Sequence, residues 1–291
     1  MDTLIASGGG ERIYLELGYL MGPLKGQVPK RAYGSSAGAL IISIFAAQGI
    51  DVAHDVLMGI HNTSQIFITK NPAADIGDEI FRNFPGLTAY GPLLALIQKY
   101  IVGKPSFPVT ILRTNFENGK VQYVTWNTDG SFTTEGDDST RIVNIMGFQG
   151  ALCSSCINGG ATDAYLDYTN GQNLPGVPYI DGGYSDLIPT PKAIADGCTD
   201  LTILMTGLFS DPALNNKGGD LVAGIEDGYS IFVHRVMRDD IMTAINNPNV
   251  TTVVYEMEPV GSSSVFDDAD DLANYNLGLS AQAVPGSAFL P

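Results

Sequence analysis

The residues with the clearest chemical potential occupy positions 34–38, which read Gly-Ser-Ser-Ala-Gly. They fit the pattern G-x-S-x-G, in which the central serine, here Ser36, stands on a sharp turn between a strand and a helix. A short apolar strand precedes this turn and an apolar helix follows it. Small residues allow the turn to be tight, and the helix N-terminus favours negative charge that develops at the serine Oγ. The pattern therefore predicts a nucleophilic serine at position 36.

A nucleophilic serine needs hydrogen-bond donors for the oxyanion of its tetrahedral intermediate. Residues 7–10 read Ser-Gly-Gly-Gly and lie between the first predicted strand and the first predicted helix. Glycine lets a substrate approach the backbone closely, so we expect the N–H groups of Gly8, Gly9 and Gly10 to form an oxyanion hole. A dinucleotide-binding loop is the competing interpretation, but G-x-G-x-x-G would require glycine where this chain has Ile13.

The sequence offers two kinds of general base for Ser36. Its histidines are His54, His61 and His234. The order Ser36, Asp181, His234 along the chain is that of an α/β-hydrolase triad. In that fold several strands precede the serine turn, whereas here one βα unit does, which favours His234 as a surface or packing histidine.

Asp181 is the alternative base. It ends a short apolar strand and precedes two glycines. A carboxylate in such a place often only caps a turn. The carboxyl ends of parallel strands, however, share the edge of the sheet where ligands bind, and Ser36 and the glycine loop are expected at that edge.

The elements around these residues alternate between strands and helices. Residues 4–6 and 31–34 are predicted strands, and residues 11–21 and 37–48 are predicted helices. Residues 109–134 alternate β-forming side chains with Asn-Gly and Asp-Gly turns, which predicts an antiparallel hairpin insertion. The whole pattern predicts an α/β fold with a mainly parallel central sheet.

We expect a single domain over residues 1–291. Prolines interrupt the pattern over approximately residues 51–105, which predicts a lid-like or cap-like region of short helices and loops. After Arg238 the chain contains eight carboxylates and no lysine, arginine or histidine. Residues 258–291 form the acidic C-terminal segment. Apolar residues among these charges favour a docked helix over an acidic interaction tail.

Composition excludes several classes of protein. The net charge of −16 opposes binding to nucleic acid, and we expect no nucleic-acid partner. The longest apolar stretch is too short to span a bilayer and no basic signal sequence is visible. We therefore expect no transmembrane segment and a cytoplasmic location, with secretion by a route without a visible signal peptide as the alternative.

The three cysteines require no disulfide framework. Cys153 and Cys156 have the spacing of a redox or metal-binding pair, but no further ligands with a recognisable spacing accompany them. We interpret them as small buried thiols, and we expect no metal and no cofactor.

Together, the motifs resemble the patatin-like phospholipase family over most of the chain. Residues 8–12 are similar to its G-G-G-x-R/K loop, residues 34–38 to its G-T-S-A-G turn, and residues 181–183 to its distant D-G-G. The resemblance implies a three-layer α/β/α fold and a Ser36–Asp181 dyad without histidine. It further implies that the amides around Gly9 and Gly10 form the oxyanion hole.

The resemblance also implies an activity. A patatin-like protein would be a lipid acyl hydrolase of the phospholipase A or lysophospholipase type, with a lipid or another acyl ester as its substrate and transient contact with a membrane surface. Two alternatives stay open at this point. One is a catalytically inactive binding or scaffold protein that keeps the fold, and the other is a Ser-His-Asp esterase.

Overall fold

The computed structural model describes residues 1–66, 68–69, 88–89, 91–156, 166–167, 174–175, 179–209, 235–260 and 268–290. His234 lies outside these residues. So does the central part of the predicted lid-like region, from position 70 to position 87.

Nine strands of the described residues form one sheet. They are β1 (Thr3–Ala6), β2 (Arg31–Gly34), β3 (Val109–Asn115), β4 (Val121–Trp126), β5 (Phe132–Gly136), β6 (Tyr179–Asp181), β7 (Asp200–Leu204), β8 (Thr251–Tyr255) and β9 (Val284–Pro285). Two short ribbons, Ile68–Thr69 with Thr88–Ala89 and Leu166–Asp167 with Leu174–Pro175, lie outside it.

The sheet has a parallel centre and antiparallel edges. Its order is β9-β8-β7-β1-β2-β3-β4-β5, and β6 also pairs with β3. The five strands from β8 to β3 run parallel, while β9, β4, β5 and β6 join antiparallel. The predicted hairpins are present, with Gly119 and Gly130 at positive φ in their turns. These hairpins are part of the main sheet, because their first strand, β3, is also the last of its parallel strands.

Helices cover both faces of the sheet. They are α1 (Ile13–Met21), α2 (Ser36–Gln48), α3 (Ile50–Met58), α4 (Gly91–Tyr100), α5 (Ile145–Ser155), α6 (Thr190–Ala195), α7 (residues 235–245) and α8 (Asp268–Leu279). Short 3₁₀ turns cover Gly10–Arg12, Thr63–Gln65, Gly182–Tyr184 and Gly286–Phe289. None of the helices in the described ranges has both the length and the apolar character that a bilayer span requires.

The hydrophobic core has two layers, one on each face of the sheet. Leu4 packs with α1 to α5 on one face, and its neighbour Ile5 packs with α6 and α7 on the other. Successive residues of a strand point to opposite faces, so a strand covered on both sides is apolar throughout. This arrangement confirms the predicted α/β fold with a mainly parallel central sheet between two helical layers.

The acidic C-terminal segment contains the predicted docked helix. Helix α8 packs against α1, with Gly278 of α8 directly over Gly18 of α1. A methyl group added at Gly278 would lie 2.3 Å from Leu15 O, so the two helix backbones are in contact. Three aspartates occupy the first turn of α8, where the helix dipole favours negative charge.

Substitution of Gly278 tests this helix contact. Alanine is favoured over glycine in a free helix by about 1 kcal/mol, but here its methyl group would meet a carbonyl oxygen that cannot move aside. We expect Gly278→Ala to lower the free energy of unfolding in urea by about 1 to 3 kcal/mol. The control is Gly91→Ala at the start of α4, where no atom lies within 4 Å of the added methyl group. A Gly278→Ala variant as stable as the wild type would contradict the packing.

Candidate active site

Ser36 lies on a strained turn between β2 and α2. Its φ of +51° is the one positive value at a non-glycine residue in the described chain, and such a conformation costs about 1 to 3 kcal/mol. The flanking glycines make the turn sterically feasible. A methyl group on Gly38 would lie 2.2 Å from Ser7 O, and one on Gly34 would lie 2.8 Å from Ala39 N. The predicted strand-turn-helix arrangement is therefore present, and α2 packs closely on the end of β1.

Asp181 reaches the same place from the opposite direction. Strand β6 is antiparallel to β3, with Asp181 opposite Arg113, whereas β2 is parallel to β3, with Gly34 opposite Ile111. The carboxyl ends of β2 and β6 therefore meet only two register positions apart along β3. The expectation that Asp181 ends a parallel strand is wrong, but the end-to-end approach of the two strands still brings it beside Ser36.

The two side chains form a direct hydrogen bond. Ser36 Oγ donates to Asp181 Oδ2 at 2.5 Å, and the backbone N–H of Gly183 donates to Asp181 Oδ1 at 2.7 Å. One carboxylate oxygen thus caps the turn that follows β6, while the other faces the serine. The sequence allowed Asp181 to be either a turn cap or a partner of Ser36, and its side chain makes both contacts.

The environment of Asp181 alters its proton affinity. Burial raises the pKa of the Asp181 carboxyl to about 6, against the opposing effect of the hydrogen bonds from Ser36 and Gly183. At neutral pH the group is still mainly ionised. A carboxylate with this pKa is a stronger base than one on the surface, where the usual pKa is near 3.9.

The glycine loop lies against Ser36. A methyl group on Gly8 would lie 2.8 Å from Ser36 Cβ. Gly9 and Gly10 are partly exposed, and Gly10 adopts a φ of +58° at the start of the 3₁₀ turn. Within the described ranges, the N–H groups of Gly8, Gly9 and Gly10 donate no hydrogen bond. Gly8 therefore lies beside Ser36, which contacts Asp181, and the loop continues to Gly9 and Gly10 with N–H groups that have no acceptor among the described residues.

Sequence reasoning missed the contact made by Cys156. Its thiol Sγ donates to the backbone oxygen of Ser36 at 3.1 Å, from the end of α5. Burial raises the pKa of this thiol, and it therefore stays protonated as a donor. Cys153 is buried, and the cysteines are free thiols. The spacing of the pair does not indicate this role, because the contact joins residues 120 positions apart.

The histidines of the described chain contact other groups. His54 on α3 pairs with Asp55 and its ring packs at a tilt against Tyr275, and His61 pairs with Asp268 at 3.0 Å. These partners belong to α3 and α8. His234 lies outside the described residues.

No protein-family model matches the sequence, and the search of curated proteins finds no match. Among solved structures, the chain is similar to VipD from Legionella pneumophila, with a TM-score of 0.35 and 14% identity. The alignment covers 97% of this chain and 68% of the VipD chain. A similarity this weak carries no argument about activity.

The partly buried charge of Asp181 should reduce stability at neutral pH. Folding raises its pKa from about 3.8 to about 6, so the folded protein binds this proton more tightly than the unfolded chain does. The resulting penalty is absent below about pH 4, develops between pH 4 and 6, and is complete above pH 6. We expect Asp181→Asn to raise the free energy of unfolding by about 1 to 3 kcal/mol at pH 7.5 and by much less at pH 4.

Urea unfolding at both pH values measures this effect. The control is Asp129→Asn, because hydrogen bonds from Ser131 lower the pKa of the exposed Asp129 carboxyl, and its removal should not increase stability. An Asp181→Asn variant less stable than the wild type at pH 7.5 would contradict the assignment of a destabilising charge.

Proposed function

We propose that this chain is a serine acyl-ester hydrolase, and specifically a lipid acyl hydrolase of the phospholipase A or lysophospholipase type. One observation carries the proposal: Ser36, on a strained turn, donates a 2.5 Å hydrogen bond to Asp181. The N–H groups of the adjacent glycine loop, which have no acceptor among the described residues, support it, and so does the resemblance of the three motifs to patatin-like phospholipases.

In the first half of the reaction, Asp181 Oδ2 accepts the proton of Ser36 as Oγ attacks the ester carbonyl carbon. The carbonyl oxygen becomes an oxyanion and accepts hydrogen bonds from the glycine amides. Protonated Asp181 then gives its proton to the leaving alcohol, the carbon–oxygen bond of the ester breaks, and the acyl group stays on Ser36.

In the second half, water replaces the alcohol. Asp181 accepts a proton from the water as its oxygen attacks the acyl-enzyme, and a second oxyanion forms in the same loop. Collapse of this intermediate releases the carboxylic acid and returns the proton to Ser36 Oγ. The net reaction consumes one ester and one water and produces one acid and one alcohol, with no cofactor.

Electrostatic stabilisation must supply most of the rate enhancement, because a carboxylate is a weak base toward a serine hydroxyl. The positive end of the α2 dipole lies at Ser36, and the N–H groups of the glycine loop are the expected donors to the oxyanion. Removal of a single oxyanion donor typically costs about 100-fold or more in kcat.

The motif resemblance suggests a lipid substrate, and the net charge of the protein restricts the lipid surfaces on which it would act. A net charge of −16 disfavours attraction to anionic membrane surfaces. We therefore expect zwitterionic lipids, or lipids presented as monomers or micelles, to be better substrates than lipids in anionic vesicles.

Substitution of the proposed dyad tests the reaction. We expect Ser36→Ala and Asp181→Asn each to lower hydrolysis of a chromogenic acyl ester by about 1000-fold or more, because each removes a group that acts directly in bond formation. Ser36→Ala should also abolish covalent labelling by a fluorophosphonate probe. The matched control is Ser43→Ala, which changes another buried serine of α2 whose hydroxyl has no hydrogen-bond partner in the described chain.

His234→Ala separates the dyad from a triad. Most of the activity should remain in this variant if Asp181 is the base. A His234→Ala variant as inactive as Ser36→Ala would establish a Ser-His-Asp esterase instead. A folded wild-type protein without Ser36-dependent labelling would favour the inactive scaffold.

A further inference from the structure

The peptide unit between Gly8 and Gly9 is held from one side. Thr206 Oγ1 donates a 2.7 Å hydrogen bond to Gly8 O. Because a peptide unit is planar and trans, the N–H of Gly9 points away from the carbonyl oxygen of Gly8, and therefore away from Thr206. That N–H has no acceptor among the described residues. The hydroxyl of Thr206 thus determines which way an unoccupied donor of the loop points.

Such a restraint is needed because glycine lies on both sides of the peptide bond. Glycine adopts positive and negative φ with similar ease, so a Gly-Gly unit can rotate at little steric cost. In the rotated orientation the carbonyl oxygen of Gly8 would take the place of the Gly9 N–H. It would repel an oxyanion instead of stabilising it. Gly8 and Gly9 permit close approach of a substrate, but they do not by themselves fix the direction of the Gly9 N–H.

Thr206 is itself held by a buried polar network. Its backbone N–H donates to Ser7 Oγ at 3.2 Å, and Ser7 donates to Glu16 Oε1 through its N–H at 2.8 Å and through its Oγ at 3.2 Å. Thr206, Ser7 and Glu16 are 8%, 1% and 0% exposed. Ser7 follows β1 and Thr206 follows its neighbour β7, so the network ties the ends of two paired strands to α1.

The fit between Thr206 and the loop is close. A methyl group added at Gly9 would lie 2.2 Å from Thr206 Oγ1 and 2.6 Å from Thr206 Cβ. The absence of a side chain at position 9 is therefore what allows the threonine hydroxyl to reach the carbonyl of Gly8.

We propose that Thr206 is a positioning residue for the hydrolase, whose hydroxyl orients the Gly8–Gly9 peptide so that the Gly9 N–H is available to the oxyanion. Ser7 and Glu16 keep the threonine in place. This inference rests on the proposed function, because it concerns the same oxyanion hole. Thr206 touches neither the substrate nor Ser36 in this role and acts through the backbone of the loop.

The experiment compares Thr206→Val with Thr206→Ser. Valine keeps the shape of threonine without its hydroxyl, and serine keeps the hydroxyl. We expect Thr206→Val to lower kcat for a chromogenic acyl ester by about 10- to 100-fold with KM within about 2-fold, because an oxyanion contact strengthens in the transition state. The rate of Ser36 labelling by a fluorophosphonate should fall by a similar factor. Thr206→Ser should stay within about 3-fold of the wild type.

Two further variants separate positioning from packing. Thr252→Val removes the hydroxyl of another buried threonine, on β8, which has no hydrogen-bond partner in the described chain, and it should leave kcat unchanged. Ser7→Ala removes the support of Thr206 and leaves its hydroxyl in place, so an intermediate loss of kcat is expected. Urea unfolding of each variant shows that the loss occurs in folded protein.

The outcomes distinguish this inference from the proposed function. Suppose that the probe labels the wild type at Ser36. A Thr206→Val variant as active as the wild type would then overturn the positioning role alone, and so would a Thr206→Ser variant as impaired as Thr206→Val. Wild type without Ser36-dependent labelling would overturn the hydrolase, and the positioning role with it.

Discussion

Two strands that meet end to end along a third strand are the constraint on which the site depends. β2 arrives parallel to β3 and β6 arrives antiparallel, and both end within two register positions of each other. The backbone ladder therefore fixes the distance between the turn that carries Ser36 and the turn that carries Asp181. A hydrogen bond of 2.5 Å between side chains 145 residues apart is a consequence of that ladder.

The site is built at a cost to stability. Ser36 adopts a left-handed backbone conformation, and Asp181 carries a charge that burial disfavours. The close packing of α2 on β1 at Gly38, and the hydrogen bond that the Gly183 N–H donates to Asp181, offset part of this cost. The turn and the carboxylate would relax to easier states without these contacts. The proposed function gives a reason for this cost, because catalysis requires groups that are positioned in advance.

Local sequence patterns predicted the parts of the site that lie within single βα units. The serine turn, the glycine loop, the alternation of strands and helices, and the docking of α8 all follow from composition and periodicity over about 20 residues. The direction of β6 did not follow, because a three-residue strand contains no local signal for parallel or antiparallel pairing.

Contacts between distant segments were also beyond local patterns. Thr206 is 198 residues from Gly8, and Cys156 is 120 residues from Ser36. Neither residue belongs to a motif that marks the site, and only the paired ends of β1 and β7, and the end of α5, bring them to the loop and the turn. Side chains that orient the backbone of a motif are thus less visible in a sequence than the motif itself.

The pH dependence of Ser36 phosphonylation is the most direct test of whether Asp181 is the base. The second-order rate constant for a neutral fluorophosphonate should rise with pH through an apparent pKa near 6 and then stay level, as Asp181 loses its proton. The same inflection should persist in His234→Ala and disappear, with most of the rate, in Asp181→Asn. An inflection that survives in Asp181→Asn and disappears in His234→Ala would contradict the dyad.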